Sequence, residues 1–254
     1  MNGPRRHPLR VTGRFFWFVG VVICAVLDFS IHLGFRPKKS AQLQRARWLH
    51  RHSRRALSIF RLKPRVLGEI PTRGLLVSNH LSYLDILVIS AITPAIFVAK
   101  REVKFWPVVG SLAQMGGTLF IDRARRTQVG EMNDQIQNAL DGGALVVLFP
   151  EGTSSNGQTV LPFKSPLLEP AARQTHPLTV GCVQYALDDG DVDTEVCYWG
   201  DHTFFPHLLN LLGKRAVRGT VTFAAFPPTG ADRKELARQL REEILKLKSG
   251  WCLD

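Results

Sequence analysis

Residues 75–85 read Leu-Leu-Val-Ser-Asn-His-Leu-Ser-Tyr-Leu-Asp, and they decide the fold class. Leu75–Val77 is a short apolar run of strand type. Polar turn residues follow at once, and a helical pattern opens at Tyr83 and continues to Ile92. His80 and Asp85 stand five positions apart. On one continuous helix that spacing separates them by about 140°, a poor geometry for pairing. The two side chains meet only if His80 lies on the strand-to-helix turn and Asp85 points back from the first helical turn. Ser82 is the candidate N-cap of that helix. In such a turn Asp85 accepts from one imidazole nitrogen and fixes the tautomer. The other nitrogen is then a base at the C-terminal edge of the sheet, where ligands of open α/β sheets bind. A purely structural histidine at a strand end is the competing reading.

Outward from this unit the alternation continues. Strand-like runs are expected at Ile96–Ala99, Thr118–Ile121, Leu145–Phe149, Leu178–Tyr185, Glu195–Trp199 and Val217–Phe226. Helical patterns fall at Lys104–Met115, Thr127–Leu140 and 232–248. In Thr127–Leu140, Val129, Met132, Ile136 and Leu140 keep a period of three to four. Gly142-Gly143 then stops the helix. The expectation is an α/β fold with a mostly parallel central sheet flanked by helices.

Composition sets limits on partners. The chain has 254 residues, 45% hydrophobic and 21% charged, which excludes disordered and collagen-like classes. The net charge is +12, and 15 of the 33 Lys and Arg residues lie in the first 65 positions beside one acid, Asp28. A near-neutral body therefore carries a cationic N-terminal part, which implies a polyanionic partner. Residues 15–35 (FFWFVGVVICAVLDFSIHLGF) are long enough to cross a bilayer core, but Asp28 and His32 interrupt them and bases flank both ends. That pattern fits a segment entering one leaflet and returning. Residues 41–62 read as a basic amphipathic helix with Leu43, Ala46, Leu49, Ala56, Leu57 and Phe60 on one face, and Pro64 ends it. Trp48 and Ile59 break the polar side. Together these segments read as an interfacial anchor over 1–65, attracted to anionic membrane lipids, with a globular domain over 66–254. A hairpin packed on the protein's own core is the alternative. No nucleic-acid recognition motif is present.

The four cysteines are scattered, with no ligand spacing for a metal, and read as reduced thiols of a cytosol-facing protein. No serine-hydrolase, dinucleotide or P-loop motif occurs. Two further segments end strands on the same expected edge: Gly117–Arg123 and Phe149-Pro-Glu-Gly-Thr-Ser-Ser-Asn-Gly157. Taken singly, Asp122–Arg123 is a surface ion pair and Pro150-Glu151-Gly152 a turn.

Taken jointly, the blocks resemble the glycerolipid acyltransferases typified by 1-acylglycerol-3-phosphate (lysophosphatidic acid) acyltransferase. Asn79-His80 with Asp85 matches the family's NHxxxxD block. Gly117–Arg123 matches the block ending Phe-Ile-Asp-Arg, and Phe149–Thr153 the Phe-Pro-Glu-Gly-Thr block. The match covers roughly residues 65–185. The resemblance implies O-acyl transfer from acyl-CoA or acyl carrier protein to the hydroxyl of a lysolipid, without metal or other cofactor, in membrane lipid biosynthesis on the cytoplasmic face. It implies His80 as general base, Asp85 as its orienting partner, and Asn79, Lys100, Arg123, Glu151, Gly152 and Thr153 as substrate-holding residues. Two departures bear on the acceptor. Ser154 stands where the family often carries Arg, and Leu178–Tyr185 lacks the Pro of a fourth block. The non-Arg third block and the segment Trp199–Leu209 resemble relatives acting on lysophosphatidylcholine-like or lyso-ornithine lipids. Lysophosphatidate is the alternative acceptor, and a non-catalytic lipid-binding homologue the alternative class. His202 and His207 read as a loop histidine and a helix-start histidine, with a second site or metal as the alternative.

Overall fold

The computed structural model describes residues 7–34, 42–122, 126–173 and 175–250. Helices α1 (Pro8–His32) and α2 (Gln42–Ile59) come first. Strand β1 (Arg65–Leu67), β2 (Gly74–Ser78), α3 (Leu84–Ile92) and β3 (Ile96–Lys100) follow. A 3-10 turn (Arg101–Phe105) leads to α4 (Val109–Met115), β4 (Leu119–Ile121), α5 (Arg126–Asp141) and β5 (Leu145–Leu148). A second 3-10 turn (Ser165–Leu168) runs into α6 (Glu169–Ala172). The chain closes with β6 (Leu178–Leu187), α7 (Val192–Glu195), α8 (Phe204–Gly213), β7 (Val217–Phe226) and α9 (Arg233–Ser249).

One seven-stranded sheet has the order β1-β7-β6-β2-β5-β3-β4. Every pairing is parallel except β6 with β7. The fold is α/β with a mostly parallel sheet, as the alternation predicts. Residues alternate across the pleat. Leu76, Leu145, Val147, Val183 and Tyr185 face a core shared with α1, α2, α3 and α8. Leu75, Val77, Val146, Leu148, Val180 and Cys182 face a second core built with α5, α6 and α9. Gly74 begins β2 at φ 88°, where a Cβ would lie 2.3 Å from the Pro177 carbonyl oxygen, so a side chain is excluded there.

Several expected elements differ. Glu195–Trp199 is not a strand. Asp191 caps the short turn α7 by accepting from the Asp193 amide, and the Cys197 amide bonds back to Val192, so the run closes as a turn. Lys104–Met115 is split, because Pro107 donates no hydrogen bond and holds Trp106 extended. Helix α8 tolerates Pro206 because the first-turn amides have no helical partner to lose.

The N-terminal helices also depart from expectation. Helix α1 is a single continuous helix and does not turn back within Pro8–His32. It is long and apolar enough to cross a membrane by length and composition. One of its faces nevertheless packs on the body at both ends. Arg14 is buried and donates to the carbonyls of Leu212 and Lys214 (3.2 and 2.5 Å), and Arg10 donates to Gly213 (3.0 Å), so both cations meet the C-terminus of α8. At the other end Ala25 and Phe29 meet Trp48, whose indole donates to the Ala25 carbonyl. Asp28 accepts from His52 and Arg51. In α2 the side expected to be polar contributes Trp48 and Ile59 to the core, whereas Leu43 is exposed. Helix α2 packs mainly against α1 and α3 and also meets β3 and the end of α4, so its buried arc is wider than one stripe. The outer face of α1 stays apolar, with Phe16, Trp17, Ile23, Leu27 and Ile31 all more than half exposed. The packing therefore runs across the boundary expected near residue 65.

Candidate active site

Strands β2, β5, β3 and β4 run parallel, so the residues after them gather on one edge. His80 follows β2 by two residues, on the turn that the five-residue spacing demanded. Asp85 lies in the first turn of α3. The His80 Nδ1–Asp85 Oδ2 distance is 2.7 Å. The same Oδ2 accepts the Leu81 and Ser82 amides at 2.7 and 3.0 Å. Asp85 thus ties the turn before the helix to its first residues, while Tyr83, and not the Ser82 expected from sequence, holds the N-cap position without a side-chain cap. The Ser82 hydroxyl is buried without a partner among the described residues. The His80 side chain is 20% exposed and Asp85 fully buried. Nε2 is the imidazole nitrogen with no hydrogen-bond partner among the described residues, which suits it to exchange a proton with a bound molecule.

Asp85 has a further partner that sequence reading missed. The Tyr185 hydroxyl, from β6, donates to Oδ1 at 2.7 Å. Burial first, then the Asp85 charge, pushes the Tyr185 hydroxyl well above the usual phenol range. The signal in the sequence was parity. Tyr185 shares the pleat face of Val183, the face against which α3 packs.

The third block holds His80 from the other side. The Phe149 ring stacks on the imidazole with centroids 4.2 Å apart. Glu151 Oε1 accepts the His80 amide at 2.7 Å, and Oε2 accepts the Leu161 amide at 2.8 Å. The Ser155 amide donates to the His80 carbonyl at 3.0 Å. Glu151 is 2% exposed, and burial raises its pKa against the pull of those two amides. One oxygen therefore holds the turn that carries His80, and the other holds Leu161 of the carboxylate's own loop. Gly152 sits at φ 77°, and its amide closes the turn onto Phe149. Thr153 is exposed. The Ser154 hydroxyl donates to the Tyr198 carbonyl.

Asn79 is buried and its amide is spent on β6, donating to the Val183 carbonyl (3.0 Å) and accepting the Val183 amide (2.8 Å). Lys100 is exposed at the C-terminal end of β3, on the same edge. Arg123 lies outside the described residues. Asp122 pairs with Arg101 at 3.3 Å. His207 takes the Tyr83 hydroxyl on Nδ1 and places Nε2 on the Cys197 carbonyl. Burial and His202 push it down to about 4. An apolar cavity of about 300 Å³ borders Phe149, lined by Val98, Ile121, Val129 and Leu148, with Lys164 beside them.

The edge therefore offers an oriented imidazole, a buried carboxylate behind it and an apolar recess beside its stacking partner. These parts suit proton transfer to or from a lipid-like substrate.

Comparison with known proteins agrees. The family described as Acyltransferase matches residues 63–183. The lyso-ornithine lipid O-acyltransferase of Rhizobium meliloti (strain 1021) is 34% identical over 253 residues, covering 91% of this chain and 87% of that protein. A 1-acyl-sn-glycerol-3-phosphate acyltransferase of Neisseria gonorrhoeae is 35% identical over 140 residues, covering 52% and 55%. The crystal structure of the 1-acyl-sn-glycerophosphate (LPA) acyltransferase PlsC from Thermotoga maritima superposes with a TM-score of 0.65 at 22% identity, over 96% of this chain and 98% of that one, a likeness of fold. By the extent of these matches, this chain is a member of the acyltransferase family.

Proposed function

We propose that the protein transfers a fatty acyl group from a thioester, acyl-CoA or acyl carrier protein, to the free hydroxyl of a lysolipid at a membrane surface. The observation that carries this reading is the 2.7 Å His80–Asp85 contact at the sheet edge with Nε2 left open. Nε2 takes the proton of the lipid hydroxyl as its oxygen attacks the thioester carbonyl carbon. The tetrahedral species collapses with cleavage of the C–S bond. The imidazolium returns its proton to the departing thiolate, so the products are an ester and a free thiol. Asp85 keeps Nδ1 protonated and stabilises the transient imidazolium. A positioned base of this kind contributes roughly 10²–10⁴-fold. Glu151, Gly152 and Asn79 act by holding the His80 turn. The family blocks assign Lys100, Arg123 and Thr153 to holding the substrate.

The acceptor favoured is a lyso-ornithine-type lipid rather than lysophosphatidate. In support, the lyso-ornithine relative aligns over 91% of the chain, and Ser154, in place of a cation, is spent on the Tyr198 carbonyl. The outer face of α1 supports membrane attachment in the interfacial plane, with the apolar side chains sunk among the lipids and the basic face of α2 near anionic headgroups on the cytoplasmic side. The test is an assay of purified protein with one thioester donor against a panel of lysolipids, with products identified by mass. Acylation of a lyso-ornithine lipid in preference to lysophosphatidate supports the assignment. The reverse preference restores the phosphatidate reading, and no thiol release with any lysolipid leaves a non-catalytic lipid-binding protein.

A further inference from the structure

We propose that Tyr185 is a positioning residue for acyl transfer, acting on His80 through Asp85. The inference rests on His80 being the base. Asp85 Oδ2 already serves three donors: His80 Nδ1 and the amides of Leu81 and Ser82. Oδ1 has the Tyr185 hydroxyl at 2.7 Å as its hydrogen-bond donor. The two ends of the carboxylate are therefore held by different elements, α3's own entry turn and strand β6. With Oδ1 pinned to the sheet, the carboxylate plane cannot swing, and Oδ2 stays aimed at the imidazole. Strand β6 is itself registered on β2 through the Asn79–Val183 pair, so the phenol and the His80 turn share one frame.

The hydroxyl also tunes the couple. Tyr185 is buried, and its proton is held firmly, so it acts as a donor throughout the working pH range. A hydrogen bond donated to a carboxylate disperses its charge and weakens its hold on a proton shared with the imidazole. Other ionisable groups face this couple. Glu151 comes from the loop after β5, Cys197 from the segment after α7, and Tyr83 from the start of α3, with His207 of α8 behind it. Asp191 and Asp193 act on Cys197 from α7. Among the described residues Tyr185 is the side chain besides His80 that donates to the carboxylate.

Tyr185→Phe keeps the ring in the core and removes only this donor. In the full-length protein in vesicles, kcat is expected to fall by about tenfold, with both KM values within about threefold. The acid limb of kcat/KM against pH is expected to move up by about half a unit to one unit, because a carboxylate without its donor leaves the couple protonated to higher pH. In an Asp85→Asn background the same change is expected to cost less than about twofold, since its route through the carboxylate is gone. Replacing Tyr185 with 3-fluorotyrosine strengthens the donor and keeps the ring, so the limb is expected to move down. An unmoved acid limb in both variants overturns the inference, as does an additive loss in the double variant. His80→Ala run alongside separates the two levels. If that variant keeps wild-type activity, the base assignment fails. If it is inactive while the limbs stay fixed, only the Tyr185 inference fails.

Discussion

Replacing Asp85 with Asn separates the charge of this residue from its geometry. Asn retains one acceptor oxygen and gains an NH2 group. With the oxygen at the Oδ1 position, the NH2 group faces three donors, His80 Nδ1 and the Leu81 and Ser82 amides, which is untenable. With the oxygen at the Oδ2 position, all three keep their acceptor, and the NH2 group meets the Tyr185 hydroxyl. A hydroxyl can turn and accept, so this orientation keeps the three donors paired and takes from the Tyr185 O–H its carboxylate acceptor. The fold is thus expected to survive with a loss of about 1–3 kcal/mol, and a Tm within about 10 °C of wild type. The negative charge beside the imidazolium is gone, however. The expected loss in kcat is about 10²–10⁴-fold, or ~3–5 kcal/mol of transition-state stabilisation. The assay is lysolipid-dependent thiol release from an acyl-CoA, read beside a thermal melt of the same preparation. Asp85→Ala is the control. It orphans the two amides at about 1–3 kcal/mol each, so it is expected to lose stability and activity together. More than a tenth of wild-type kcat in Asp85→Asn, or a loss that merely follows unfolding, refutes the reasoning.

Glu151→Gln leaves one of the His80 and Leu161 amides facing an NH2 group, so a destabilisation of about 1–3 kcal/mol is expected, with a fall in kcat from the loosened His80 turn. Retained Tm and activity would show that the clamp is dispensable. His207 is held down to about 4, below the 6.5 or so of an unfolded chain. Its contribution to stability is complete above pH 6.5 and is lost as pH falls toward 4, by up to ~3 kcal/mol. His207→Phe is expected to flatten that part of the pH–stability curve, and an unchanged slope in denaturant titrations argues against it. Trp17→Ser, Ile23→Ser and Leu27→Ser together remove about 1.5–3 kcal/mol of apolar insertion each. Binding to anionic vesicles is expected to fall at least 100-fold in a sedimentation assay, and undiminished binding means that another surface attaches the protein.

Some of this site was legible before any coordinates. The run from Leu75 to Asp85 carries its own geometry: a strand too short to continue, polar turn residues, and a five-residue spacing that no helix can close. The order of the apolar runs likewise predicts the sheet. What remained hidden depends on register and on competition for hydrogen bonds. Tyr185 lies 100 positions from Asp85 and reaches it only because β6 pairs with β2 and the pleat turns odd positions toward α3. Glu151 and Asn79 look like substrate ligands because they are polar residues in matching blocks. Only coordinates reveal that backbone amides and carbonyls already occupy them. Trp48 reads as a flaw in an amphipathic face until α1 lies across it and takes the indole N–H. Glu195–Trp199 has the composition of a strand, but the Asp191 cap closes it as a turn.

The central claim is that one oriented imidazole removes the proton of a lipid hydroxyl. Its most direct test is turnover by full-length His80→Ala in vesicles supplied with acyl-CoA and a lysolipid, beside wild type with and without the lysolipid. The expected result is turnover below about a hundredth of wild type, with the melt and vesicle binding retained, and wild-type thiol release only when the lysolipid is present. Turnover by His80→Ala within about tenfold of wild type, or thiol release by wild type without any acceptor, would contradict the account.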